Sequence, residues 1–191
     1  MSFKTIANAR TAAGMPTGLL AVWWVIASEI VIFGGLLMGY LMHRLAHDAW
    51  AGHANHTNQY IGAFNTLVLL VSSYFAVRGH AAAEEGDGKA AAKWIWMCFA
   101  GGATFLVVKS IEWTIEISAG YTITANTFWS FYYTAAGLHA SHVIAGMIIM
   151  AIVARKAARN VDLHHVELIG VYWHFVDVVW IFLFPLLYIA K

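Results

Sequence analysis

The sequence predicts an all-α integral membrane bundle of five transmembrane helices, and three observations carry that expectation. Hydrophobic residues make up 61% of the 191-residue chain and charged residues only 11%, well beyond the near-even balance of a water-soluble domain. The apolar residues are gathered into five long runs, and crossing a bilayer takes roughly 20 of them in a helix. The stretches between the runs are short and rich in turn formers and charge.

In chain order the runs cover about 19–42, 60–77, 93–111, 127–154 and 168–189. The first contains Glu29 and is too long for the apolar core of a cleavable leader, so it is expected to stay as a helix. The second, "YIGAFNTLVLLVSSYFAV", is the most polar, and it crosses if Asn65, Ser72 and Ser73 face other helices. The third closes on Lys109, Glu112 and Trp113, where a lysine stem is expected to snorkel outward. The fifth carries Pro185, which is expected to kink it. The connections "HDAWAGHANHTNQ", "RGHAAAEEGDGK", "ISAGYTITAN" and "RKAARNVDLHH" leave no room for a second domain, so residues 1–191 read as one membrane unit.

Charge and cysteine content exclude several classes. Eleven basic and ten acidic residues form no basic stripe, so nucleic acid is not an expected partner. A single cysteine, Cys98, rules out an intrachain disulfide, a four-cysteine metal site and a CxxCH haem attachment. No repeat supports an inverted-repeat transporter. On alternate sides of five crossings lie eight and three Lys or Arg residues, which puts the N-terminus in the cytoplasm and the C-terminus outside. Trp23, Trp24, Trp94, Trp96, Trp113 and Trp129 fall near span ends and read as interfacial anchors.

An ionisable group in hydrocarbon costs roughly 2.5–3.5 kcal/mol on insertion scales, so each needs a reason. Glu29, His142 and Asp177 fall at similar depths on three helices, and His139 and His174 precede two of them by three positions, the spacing that shares a helix face. The expectation is a buried polar cluster of Glu29, His139, His142, His174 and Asp177, in which Asp177 orients an imidazole. Such a cluster handles protons or merely joins helices by hydrogen bonds. A metal is not expected there, although the residue types are ligands, and the loop histidines His43, His47, His53 and His56 lack a specific ligand spacing.

Four segments carry a family resemblance: "SEIVIFGGLLMGY" at 28–40, "FNTLVLLVSS" at 64–73, "TAAGLHASHVIAGMI" at 134–148 and "YWHFVDVVWIFLFPLLY" at 172–188. With these in order the chain resembles subunit III of the haem-copper oxidases, cytochrome c and quinol oxidases alike, in a short five-helix bacterial form. It departs from the commoner pattern at Ala135, Ala136, Ala140 and Ser141, all small enough to keep helices close. The resemblance implies a subunit with no catalytic centre and no cofactor of its own, while haem and copper sit in subunit I. It implies packing against subunit I, subunit II in the same complex, and a structural phospholipid. It further implies support of proton uptake and turnover stability in a bacterial cytoplasmic membrane. Glu29 falls on the family's carbodiimide-reactive carboxylate. Arg78, His80, Arg155 and His164 are the candidates for a lipid headgroup. The other readings are an accessory subunit of a nitric oxide reductase and, in a different class, an independent proton-coupled transporter.

Overall fold

The computed structural model describes residues 14, 16–46 and 56–190. They form five helices: α1 Thr17–Ala46, α2 Gln59–Glu84, α3 Gly88–Ser118, α4 Thr127–Ala157 and α5 His164–Phe184, the last continued by a π-helical turn Pro185–Ile189. All five are long and apolar enough to cross a bilayer. Each extends beyond its apolar run, because helical hydrogen bonding continues into the headgroup region, where polar side chains are solvated. Asp87, for instance, caps α3 by accepting from the Ala90 amide at 2.9 Å, and Asn126 caps α4 by accepting from the Trp129 amide at 3.1 Å.

Four helices make a ring in which α2 packs on α3, α3 on α4, α4 on α5 and α5 back on α2, while α1 lies outside against α5 and α4. The core is aromatic: Trp173, Trp180, Tyr132, Phe105 and Phe128 are all essentially inaccessible. Trp129 belongs with them. Expected at the headgroup level, it is instead fully buried and stacks on Tyr121 at 4.9 Å. Trp23 and Trp24 do stand outward, on the exposed side of α1.

Small residues set the closest helix approaches. Gly88 donates its amide to Asn160 Oδ1 at 2.9 Å, and a Cβ at that position would collide with the Ala157 carbonyl and the Asn160 side chain. The start of α3 is thereby locked to the end of α4.

Pro185 does more than kink α5. Without an N–H, proline cannot continue the α-helical ladder, and the chain widens into a turn closed by the Ala190 amide donating to the Pro185 carbonyl at 2.7 Å. Two carbonyls of the turn find side-chain donors elsewhere: Tyr40 on α1 donates to Leu186 O at 2.6 Å and Thr57 to Leu187 O at 3.3 Å.

Replacing Gly88 by Val is expected to cost about 1–3 kcal/mol, since the added atoms meet backbone rather than a yielding side chain. Thermal unfolding in detergent, followed by circular dichroism, reads the loss directly.

Candidate functional site

Glu29 and His142 meet between α1 and α4. The carboxylate Oε2 lies 3.0 Å from His142 Nε2, and both side chains are about five-sixths buried, at 15% and 16% exposure. Three helical turns of apolar residues surround the contact on α1, and the edge of Phe33 covers the imidazole at a ring distance of 5.4 Å. His142 Nδ1 lies 2.8 Å from the Leu138 carbonyl. A carbonyl only accepts, so Nδ1 carries a hydrogen and Nε2 has one only when the ring is cationic. A lone pair at Nε2 facing a carboxylate oxygen at this distance would be repulsive. An imidazolium form of His142 would donate from Nε2 to the Glu29 carboxylate. Tyr172 on α5 donates to the His142 carbonyl at 3.2 Å, which ties the site to a third helix.

The remaining members of the expected cluster stand apart from this pair. His139 is fully buried in the ring, with its imidazole 5.4 Å from Phe105 and 5.1 Å from Trp180, and neither nitrogen has a hydrogen-bond partner among the described residues. Three residues along a helix turn the side chain by roughly 60°, given 3.6 residues per turn, and that rotation separates the core-facing His139 from the α1-facing His142. His174 does not receive its orientation from Asp177. Its Nδ1 is 2.5 Å from the Ser73 hydroxyl on α2, while Asp177 is buried at 4% exposure and neither carboxyl oxygen has a hydrogen-bond partner among the described residues.

The four headgroup candidates divide by face. Arg78 lies over Trp94 at 5.2 Å and Arg155 over Trp96 at 5.8 Å. His80 and His164 instead share the lining of a small cavity with Glu84 and Glu167. His56 meets the Tyr121 hydroxyl at 2.9 Å, whereas His47 and His53 lie outside the described residues.

Lys109 overturns the snorkelling expectation. It is 1% exposed, and its ammonium points into the bundle. The three N–H groups go to Glu112 Oε2 at 2.9 Å, to Tyr132 Oη at 2.8 Å and to Tyr188 Oη. Tyr132 then donates to Glu116 Oε1 at 3.0 Å, and Tyr188 to Glu112 Oε2 at 3.0 Å. One face of α3 thus joins α4 and the turn after α5. Lys109, Glu112 and Glu116 are spaced i, i+3, i+7, a helix stripe whose three charges in an apolar run are the signal that snorkelling passed over.

Five long apolar helices with a buried acid–imidazole contact between two of them define a multi-pass membrane protein built around a helical ring with one helix outside it. The family model for Cytochrome c oxidase subunit III matches residues 2–191. Among curated relatives, Cytochrome c oxidase subunit 3 of Thermostichus vulcanus is 35% identical over 167 residues, covering 85% of this chain and 82% of the relative. The protein of the same name from Corynebacterium diphtheriae is 31% identical over 173 residues, covering 87% and 84%, and that of Bacillus sp. strain PS3 is 29% identical over 174, covering 89% and 84%. The chain belongs to the cytochrome c oxidase subunit III family.

Removing Lys109 leaves the buried Glu112 carboxyl group and two phenols without their common donor. Lys109→Met is expected to destabilise the protein by about 3–5 kcal/mol, the scale for a broken buried ion pair. Adding Glu112→Gln should restore part of that. A double-mutant cycle on unfolding in micelles measures the coupling.

Proposed function

We propose that this chain is the non-redox subunit III of a proton-pumping haem-copper terminal oxidase, the complex that reduces oxygen to water. The observation that carries the reading is the family match across nearly the whole chain, shared with relatives named Cytochrome c oxidase subunit 3. In this role the chain packs against subunit I, which carries the haem and copper, with subunit II in the same complex. It sits in a bacterial cytoplasmic membrane with its N-terminus cytoplasmic, as the Lys and Arg distribution favours. Lys4, Arg10 and Lys191 of that count lie outside the described residues.

Two surface grooves support a structural phospholipid. One, of about 300 Å³, runs between α1 and the α4–α5 face along Val22, Val25, Ile149, Val153 and Ile169, with His165 at one end. Another, of about 410 Å³, follows Phe99, Leu106, Ile144, Met147 and Ile148 to Arg155. An acyl chain fits an apolar trough of this kind, and a guanidinium at its end pairs with a phosphate.

The Glu29–His142 pair supports proton uptake by the complex. It sets an acid against an imidazole, both nearly dry, which suits it to exchange a proton with subunit I or to hold α1 in register for that subunit. Glu29→Gln keeps the shape and removes the acid. It is expected to lower proton pumping or shorten the working lifetime of the complex; unchanged turnover, pumping and lifetime would sink the role of Glu29 while leaving the subunit assignment intact.

The assignment itself is tested by purifying the complex through a tag on this chain, followed by mass spectrometry and an optical spectrum. A copurifying haem-copper subunit I supports it, and the haem types separate an oxygen-reducing complex from a nitric oxide reductase. A colourless chain emerging alone and stable would remove it.

A further inference from the structure

We propose that the α4–α5 connection and the first residues of α5 form a binding site for one divalent cation of the zinc class, held by Asp162, His164 and His165. Each of the three offers a ligand atom, and the three atoms all lie within 4.8 Å of one another. The site belongs to the loop end of the bundle. It shares no residue with the Glu29–His142 pair or with the Lys109 network.

The chain itself brings these groups together. Asp162 has φ of 55°, the left-handed region that only a few residue types other than Gly enter readily, Asp and Asn among them. That reversal aims its carboxylate back over the two histidines that follow. Their imidazoles stand 4.1 Å apart, centroid to centroid. Asp162 Oδ2 lies 3.9 Å from His165 Nδ1, and that nitrogen is also 3.2 Å from the Asp162 carbonyl, a hydrogen bond that a metal at Nδ1 would replace. His164 Nε2 is withdrawn from solvent and has no hydrogen-bond partner among the described residues, so a nitrogen of a type able to bind a cation is held out of water.

Zinc–nitrogen bonds are about 2.0–2.1 Å long, which sets tetrahedral ligand atoms roughly 3.3 Å apart. Closing from 4.8 Å requires rotamer adjustments in side chains that are only partly buried, and no movement of the helices. Two imidazoles with one carboxylate favour zinc, copper or nickel over calcium and magnesium, which prefer all-oxygen ligands. His164 also lines a cavity of about 180 Å³ together with His80, Glu84 and Glu167. The cavity has room for a water molecule.

Lys156 is the competitor. Its ammonium lies 3.2 Å from Asp162 Oδ2 and its side chain is 46% exposed, so it serves as a displaceable cation on the same oxygen. Arriving zinc must dislodge it, which lowers affinity, and its removal should raise it.

The test uses the full chain in detergent, its helix content checked by circular dichroism, with Zn²⁺ titrated against a chromophoric chelator at neutral pH. The His164→Gln/His165→Gln variant should bind one equivalent fewer than the parent, leaving untouched whatever the histidines at the opposite end hold. Asp162→Asn tolerates the same backbone angle and loses only the charge; it should weaken binding by roughly 10- to 100-fold, the range seen for perturbed zinc sites. Lys156→Gln should tighten it. An unchanged stoichiometry in the double histidine variant overturns the proposal. So does loss of one equivalent there without any response to Asp162→Asn or Lys156→Gln, which would mark an adventitious imidazole pair.

Discussion

The ammonium of Lys109 has three hydrogens and three acceptors, and much of the bundle follows from that count. In hydrocarbon no water replaces a missing partner, so α3 can bury a lysine only where α4 supplies Tyr132 and the end of α5 supplies Tyr188. Glu112 pairs with the ammonium, and Glu112 and Glu116 each receive a phenolic hydrogen. Helix packing in membranes lacks the hydrophobic drive between segments. Directional groups like these therefore specify which helices are neighbours, while Trp173, Trp180 and Phe105 fill the space between them.

At the opposite periphery the logic is looser. Helix α1 meets the ring through α5 and α4, and Glu29 on α1 makes a polar contact with His142 on α4. The two constructions differ. The Lys109 network commits its donors to fixed acceptors on three helices. The Glu29–His142 pair joins one helix to the ring through a contact between an acid and an imidazole.

Much of this was legible in the sequence because hydrocarbon imposes a coarse and severe filter. Five apolar runs could only become five helices, and Glu29, His142 and Asp177 stood out as ionisable groups at similar depths. What the sequence left ambiguous was rotation about helix axes. His139 and His142 share a spacing but not a destination, because roughly 60° of turn separates the ring interior from the α1 seam. Trp129 and Lys109 both sit near helix ends, where distance along the axis suggested the interface, yet each points inward. His174 chose Ser73, a neighbour on another helix that only tertiary packing identifies. His164 read as a lipid-headgroup candidate, and no linear pattern reveals that Asp162 lies close to both His164 and His165.

Pro185 illustrates how far a local backbone rule travels. Its ring forbids the next α-helical hydrogen bond, the turn widens, and the altered winding changes the side on which the last residues emerge. Tyr188 lands in the interior and meets a lysine that is 79 residues earlier in the chain. Leu186 and Leu187 meanwhile offer their carbonyls to donors at the far end of α1 and in the segment before α2. One imino acid thus acts as a junction, gathering parts of all five helices around a single broken turn.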